Sequence, residues 1–206
     1  MLQVLEQAYQ ALDARLGLRP ARRIEVVIYD AAIYDQQFGG LFRFPAAGFY
    51  SGVIRVRGAT WVDETLTRVL HHELVHAALD AVAPGAALPG WLNEGLAEWF
   101  EARSSGQRQL AAWEEAALVG AARNGRLPSL AQLAAPSFAG LGPEGARLAY
   151  LGSYAFVAFL ARSHGEPSLE RLASQIADGR DLERAFRRVF GADLARLEAR
   201  FRAELR

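Results

Sequence analysis

The 206-residue sequence contains no cysteine, which excludes both disulfide bonds and a zinc site built on thiolates. It contains no lysine either, and its 23 basic residues are balanced by 23 acidic ones, so the formal net charge is zero. Proteins that bind nucleic acid usually carry an excess of positive charge, so we expect no nucleic-acid partner. Any zinc must be held by histidine and carboxylate, a ligand set more typical of catalytic than of structural sites.

Long hydrophobic runs are missing as well. No stretch reaches the roughly 18 apolar residues of a transmembrane helix, so we expect no membrane span. The first residues lack the basic segment and cleavage site of a secretory signal, which favours a cytoplasmic protein, although secretion of a longer precursor stays open. Hydrophobic residues make up 51% of the chain, a fraction that predicts a packed globular protein.

The first third of the chain mixes helical and strand patterns. Residues 2–16 show the periodicity of an amphipathic helix, and the β-branched stretches 23–29 and 52–58 predict two strands. The segment over 31–48, which is rich in glycine and aromatic residues, predicts a loop or a broken hairpin.

The rest of the chain has helical periodicity. Helices are predicted over 62–82, 91–103, 107–123 and 144–163, with two or three more over 168–205. Thr60 or Asp63 is the candidate N-cap of the first of these helices. We therefore predict a single α+β domain over 1–206. It has an N-terminal α/β lobe over 1–83, a helical C-terminal lobe over 90–206 and a cleft between the two lobes.

The most specific pattern is HELVH, at His72–His76 within the first long helix. Residues four apart share a helix face, so the two imidazoles can bind one metal ion. Glu73 then lies beside a water molecule on that metal, where it can act as a general base. This H-E-x-x-H arrangement is typical of zinc hydrolases. His71 cannot join the same face, and we expect it to face solvent.

A catalytic zinc site needs a third protein ligand and one position open to water. The next predicted helix offers Glu94 and Glu98, four residues apart on a side rich in tryptophan and leucine. An unpaired carboxylate is costly to bury there, and a cation would relieve that cost. Glu94 is the natural third ligand, whereas Glu98 is placed to accept the free ring N–H of a ligating histidine. Gly95 permits the two helices to approach closely.

These residues resemble the gluzincins, the thermolysin-like and aminopeptidase-like zinc metallopeptidases, and in particular the peptidase MA-like domains of bacteria. The string WLNEGLAE at 91–98 carries much of the likeness, which is specific over 72–98 and extends in layout over 24–205. The resemblance implies a zincin-like two-lobe fold that hydrolyses peptide bonds with Zn²⁺. The Gly-x-Met-Glu-Asn motif by which the zinc aminopeptidases recognise a free amino terminus is absent, so aminopeptidase specificity is not implied.

The roles that the resemblance implies fall on particular residues. Zinc ligands are expected at His72, His76 and Glu94, the general base and later proton donor at Glu73, and an outer contact at Glu98. Gluzincins also stabilise the oxyanion with a tyrosine or histidine, for which the candidates here are Tyr150 and Tyr154.

The expected partner is a peptide or protein substrate. The strand over 53–57 is a candidate edge for pairing with its extended backbone. Two alternatives stay open. One is a zinc-bound module that binds peptides with little turnover, and the other is an enzyme kept latent by a partner or a missing segment. The sequence does not indicate the oligomeric state.

Overall fold

The computed structural model describes residues 2–58 and 63–206 and combines a small mixed sheet near the N-terminus with a mainly helical remainder. The α+β class predicted from the sequence is confirmed. The described elements are, in chain order, α1 (Leu2–Leu16), β1 (Val26–Tyr29), α2 (Ala31–Phe38), β2 (Gly48–Tyr50), β3 (Ile54–Arg57), α3 (Glu64–Val82), α4 (Gly90–Ser104), α5 (Ala112–Arg123), α6 (Pro143–His164), α7 (Pro167–Ala177), α8 (Leu182–Phe190) and α9 (Leu194–Glu204). Among these helices, none has the length and apolar character needed to cross a membrane. The division into lobes over 1–83 and 90–206 stays a prediction.

Helix α2 occupies residues 31–38 of the segment 31–48 that was expected to be a loop or a broken hairpin, so the expectation was wrong for these residues. The stretch over 39–47 contains neither helix nor strand, as expected of a loop. The carboxylate of Asp30 caps the helix by accepting hydrogen bonds from the backbone N–H groups of Ala32 and Ile33, at 2.9 and 3.4 Å. Tyr34 and Phe38 on α2 then pack edge-to-face against each other with ring centroids 5.3 Å apart. The cap and the aromatic contact together account for a helix that the glycines of this region did not suggest.

Strand β3 is the centre of the described sheet, whose order is β1-β3-β2. Ile54 on β3 is aligned with Val26 of the parallel strand β1 on one side and with Tyr50 of the antiparallel strand β2 on the other. The expectation that the strand over 53–57 is a substrate-pairing edge is therefore wrong, because neighbouring strands already use both of its sides. The edge strand that follows α2 is β2.

Helix α3 lies between the sheet and the other helices. Its N-cap is Asp63, whose carboxylate accepts a 2.7 Å hydrogen bond from the backbone N–H of Leu66. The alternative cap, Thr60, lies outside the described residues. Leu66 and Leu70 face the apolar side of β3, while Leu74 and Val75 face the larger core formed with the helices that follow. Burial on both sides leaves a narrow strip of α3 for polar residues.

Helices α4 and α6 approach each other at Gly95. A Cβ atom at this position would lie 2.6 Å from the backbone oxygen of Ser153 and 2.7 Å from a side-chain carbon of Val157, both on α6. Only glycine allows the two backbones to come this close. The close approach expected at Gly95 therefore exists, but it joins α4 to α6 rather than to α3. It brings α6 alongside the helix that carries the two glutamates.

Candidate metal centre and cleft

Two adjacent helices place three side chains around one point. His72 and His76 lie one turn apart on α3, and Glu94 projects towards them from α4. Oε2 of Glu94 is 3.3 Å from Nε2 of His72 and 3.4 Å from Nε2 of His76. The three side chains are only 10–12% exposed, so they are largely removed from bulk water. The structure thus brings together the three residues that were expected to hold a metal.

The spacing of these atoms fits a small divalent cation. Ligands that bind tetrahedral zinc at about 2.0–2.2 Å lie about 3.3–3.5 Å from one another. Both separations that involve Glu94 fall in that range. The three ligand atoms lie within 4.8 Å of one another, and the donor set of two imidazoles and one carboxylate suits zinc as well as several other divalent ions. The group could therefore bind a metal ion.

The ionisation of these side chains also favours a positive charge between them. Burial alone would raise the pKa of Glu94, but the charge of His76 and the hydrogen bonds to both histidines hold that pKa well below its usual range. Burial alone would lower the pKa values of His72 and His76, but their carboxylate neighbours outweigh it and raise both. The pocket therefore stabilises a cation beside the Glu94 carboxylate, which is the electrostatic environment of a metal site.

Glu73 lies next to the same point with the edge strand directly alongside. Its side chain is buried, and burial raises the pKa of the carboxyl group despite the opposing effect of the two histidines. A Cβ atom at Gly48 of β2 would lie 2.5 Å from Val69 and 3.5 Å from Cγ of Glu73, so glycine is needed for β2 to approach α3 this closely. The backbone of β2 consequently passes beside the candidate general base.

The two tyrosines proposed for oxyanion stabilisation occupy different environments. Tyr150 borders the metal group, with its ring centroid 6.4 Å from that of His72, and packs edge-to-face on Phe44 and Phe138. Its burial and the nearby carboxylates raise its pKa, so the phenol keeps its proton. Tyr154, one turn further along α6, is 6% exposed within the hydrophobic core.

Two cavities meet at this point and form one cleft. The first, of about 530 Å³, extends past Arg68 and Arg147, whereas the second, of about 350 Å³, extends past Asp80. The residues that border both cavities are Phe44, Ala46, Gly48, His72, Glu73 and Tyr150. Tyr154 borders neither cavity. The cleft thus runs along the metal group with room on both sides of it.

Comparison with known families agrees with this geometry. A family model described as "Peptidase MA superfamily" matches residues 5–206, which is nearly the whole chain. The chain belongs to the Peptidase MA superfamily. Searches of curated proteins and of solved structures returned no match. Membership of a peptidase family, together with the buried group of two histidines and Glu94, indicates a metallopeptidase whose substrate is a peptide.

The outer contacts of the histidines include residues that the sequence reading missed. Nδ1 of His76 lies 3.0 Å from Oδ1 of Asn93, the residue before Glu94. Nδ1 of His72 lies 3.6 Å from Oε1 of Glu98, the expected contact, but only 3.3 Å from Oε2 of Glu101. Glu101 is seven residues beyond Glu94, so a search of the same helix face for carboxylates could have found it.

His71 is buried, and the expectation that it faces solvent was wrong. Its ring packs edge-to-face on Phe100 of α4, with centroids 5.9 Å apart. Burial lowers the pKa of His71, which favours the neutral imidazole. The residue is part of the contact between α3 and α4, and it belongs to neither group of side chains that could hold a metal ion. It therefore supports the helix that carries the motif without joining the ligand set.

Proposed function

We propose that this protein is a zinc-dependent metallopeptidase of the gluzincin type that hydrolyses peptide bonds by Glu73-assisted attack of water. The observation that carries the proposal is the convergence of His72, His76 and Glu94 at one point of a cleft, with Glu73 beside them. Two imidazoles and one carboxylate are the ligand set of many catalytic zinc sites, which leave one position open to water.

When bound, a zinc ion supplies Lewis-acid chemistry, in that it polarises the scissile carbonyl and lowers the pKa of water. The other steps belong to the side chains of this protein. Glu73 removes a proton from the attacking water and later gives it to the leaving amine. Burial raises the pKa of Glu73, which helps the carboxyl group to hold that proton between the two steps.

Tyr150 is the residue that we propose for stabilising the oxyanion. It borders both cavities beside His72 and Glu73, and its raised pKa keeps the O–H available as a hydrogen-bond donor. A single donor aimed at the developing negative charge contributes about 3 kcal/mol to catalysis. The position of Tyr154 in the core gives that residue no such access.

Strand β2 is the edge that we propose for substrate binding. Gly48, Phe49 and Tyr50 all border the cleft, and β2 lies at the edge of the described sheet. An extended peptide can add to such an edge through main-chain hydrogen bonds, with alternate side chains entering pockets. The two cavities would then receive side chains from either side of the scissile bond.

The proposal is tested by incubating the purified full chain with a library of quenched fluorescent peptides. We expect cleavage in the presence of Zn²⁺, loss of cleavage after treatment with a chelator, and its return when Zn²⁺ is added back. Cleavage that persists in the metal-free protein would contradict the proposal. Tight peptide binding by a zinc-loaded protein that cleaves nothing in the library would instead favour the non-catalytic peptide-binding module.

A further inference from the structure

Nδ1 of His72, the ring nitrogen that points away from the candidate metal, is adjacent to two carboxylates of α4. Oε2 of Glu101 is 3.3 Å from this nitrogen, and Oε1 of Glu98 is 3.6 Å from it. The other oxygen of Glu101, Oε1, accepts a 2.7 Å hydrogen bond from Nε of Arg68. Arg68 lies one turn before His72 on α3, so one face of that helix contacts Glu101 through both residues.

We propose that Glu101, fixed by Arg68, is the positioning residue that orients His72 for metal binding, in place of Glu98. This inference rests on the proposed metallopeptidase function, because it concerns the orientation of a ligand in the same site. A ligating histidine usually donates its other ring N–H to a carboxylate, which fixes both the tautomer and the ring direction. Glu101 supplies that acceptor, and the ion pair with Arg68 limits its freedom to rotate away.

Three features favour Glu101 over Glu98. A separation of 3.6 Å is too long for a hydrogen bond, so the Glu98 contact is the weaker of the two. The side chain of Glu101 is 11% exposed and that of Glu98 is 32% exposed, so water competes less for Glu101. Within the described ion pairs, Arg68 contacts Glu101 and not Glu98.

The same three side chains, His72, Glu98 and Glu101, also have ligand atoms within 4.8 Å of one another, as a second metal site would require. Arg68 argues against that use, because its guanidinium already neutralises Glu101 and would repel a second cation. His72 would also have to give up its remaining ring proton to bind two metals. We therefore interpret the cluster as an ion-paired support for one metal site.

The experiment measures Zn²⁺ affinity of the full chain by competition with a chromophoric chelator, for the parent protein and for matched variants. Removal of an outer carboxylate typically weakens metal binding by about 10- to 100-fold, and we expect that loss for Glu101→Ala. We expect a smaller loss for Glu98→Ala, which removes the same group one turn away. Glu101→Gln keeps an acceptor oxygen and should bind Zn²⁺ more tightly than Glu101→Ala does. It also serves as a control in case the alanine variant misfolds.

Arg68→Ala tests the second part of the inference. We expect it to weaken Zn²⁺ binding in the parent background but to have no further effect in the Glu101→Ala background, because Arg68 acts through Glu101. The absorption spectrum of the Co²⁺-loaded protein should change with Glu101→Ala and not with Glu98→Ala, since it reports ligand geometry and not overall stability.

Three results would overturn the inference. They are an effect of Glu98→Ala equal to or larger than that of Glu101→Ala, an additive effect of Arg68→Ala, and two zinc ions per chain in the parent protein. Each of these leaves the proposed function intact as long as the parent protein binds zinc and cleaves peptides. A parent protein that binds no zinc would instead defeat the proposed function.

Discussion

Oε2 of Glu94 lies 3.3 Å from Nε2 of His72, although the two residues are 22 positions apart in the chain. The contact depends on the packing of α4, which carries Glu94, against α3, which carries His72. Burying the charged carboxylate of Glu94 would be costly without a positive partner. The two histidines beside Glu94 therefore leave a position between them that suits a cation.

Replacement of Glu73 by glutamine should separate metal binding from hydrolysis. The amide keeps the shape of the side chain but cannot take a proton from water. We expect Glu73→Gln to retain zinc and to lower kcat by roughly 10²- to 10⁴-fold, the usual contribution of a general base. Metal content by elemental analysis and turnover of a quenched peptide are measured on the same preparation. Turnover equal to that of the parent protein would refute the assignment of the base.

Neighbouring histidines provide a matched pair for testing the ligands. His76→Ala should lose both bound metal and activity, because it removes one of the three donor atoms that surround the cation site. His71→Ala should retain the metal, since His71 packs on Phe100 and not towards Glu94, although it should lower the melting temperature. Elemental analysis and thermal unfolding distinguish the two variants. Equal metal loss in both would mean that misfolding, and not a missing ligand, explains the result.

A second matched pair tests the oxyanion donor. Tyr150→Phe removes only the hydroxyl group beside His72 and should lower kcat by roughly 10²- to 10³-fold with little change in Zn²⁺ affinity. Tyr154→Phe makes the same change in the hydrophobic core one turn away and should leave kcat close to that of the parent. Steady-state kinetics on both variants provide the comparison. A larger kcat loss for Tyr154→Phe would transfer the role to that residue.

The residues that the sequence predicted best are those whose spacing is a local property of a helix. One short motif with helical spacing contains His72, Glu73 and His76. Glu94 stands among apolar neighbours, which make a carboxylate costly to bury. Their arrangement could therefore be anticipated before the packing of the two helices was known.

The features that the sequence reading missed depend on packing between distant segments. Glu98 and Glu101 lie on the same side of α4, so which of them approaches His72 depends on how α4 packs against α3. His71 was expected to face solvent because it cannot share the face of His72 and His76, but the sheet and the other helices cover two sides of α3. Strand β2 has only three residues and begins with Gly48, so no alternating pattern identified it as the edge.

The pH dependence of stability should differ between the metal-free and the zinc-loaded protein. In the metal-free protein, His72 and His76 have pKa values raised above their usual 6.5. Their contribution to the free energy of unfolding is therefore complete below pH 6.5 and is lost as the pH rises through the raised values. Glu94 has a pKa lowered from 4.5, so its contribution is complete above pH 4.5 and is lost as the pH falls through the lowered value. These three side chains together should therefore stabilise the metal-free protein most between about pH 4.5 and 6.5. Burial raises the pKa values of Glu73 and Glu98, and the contribution of these two carboxyl groups to stability is lost as the pH rises, so the optimum should lie towards the lower end of this window.

Above pH 6.5, where the metal-free protein loses stability, bound zinc should have the opposite effect, because zinc binds neutral imidazoles and releases their protons. While both histidines are protonated in the metal-free protein, each unit of increase in pH should make zinc binding more favourable by up to about 2.7 kcal/mol. We expect the difference in melting temperature between the zinc-loaded and metal-free proteins to widen from pH 6 to pH 8, as measured by scanning calorimetry. The same series on His76→Ala should show no such widening. A difference that stays constant or narrows in the parent protein would show that metal binding does not displace protons from His72 and His76.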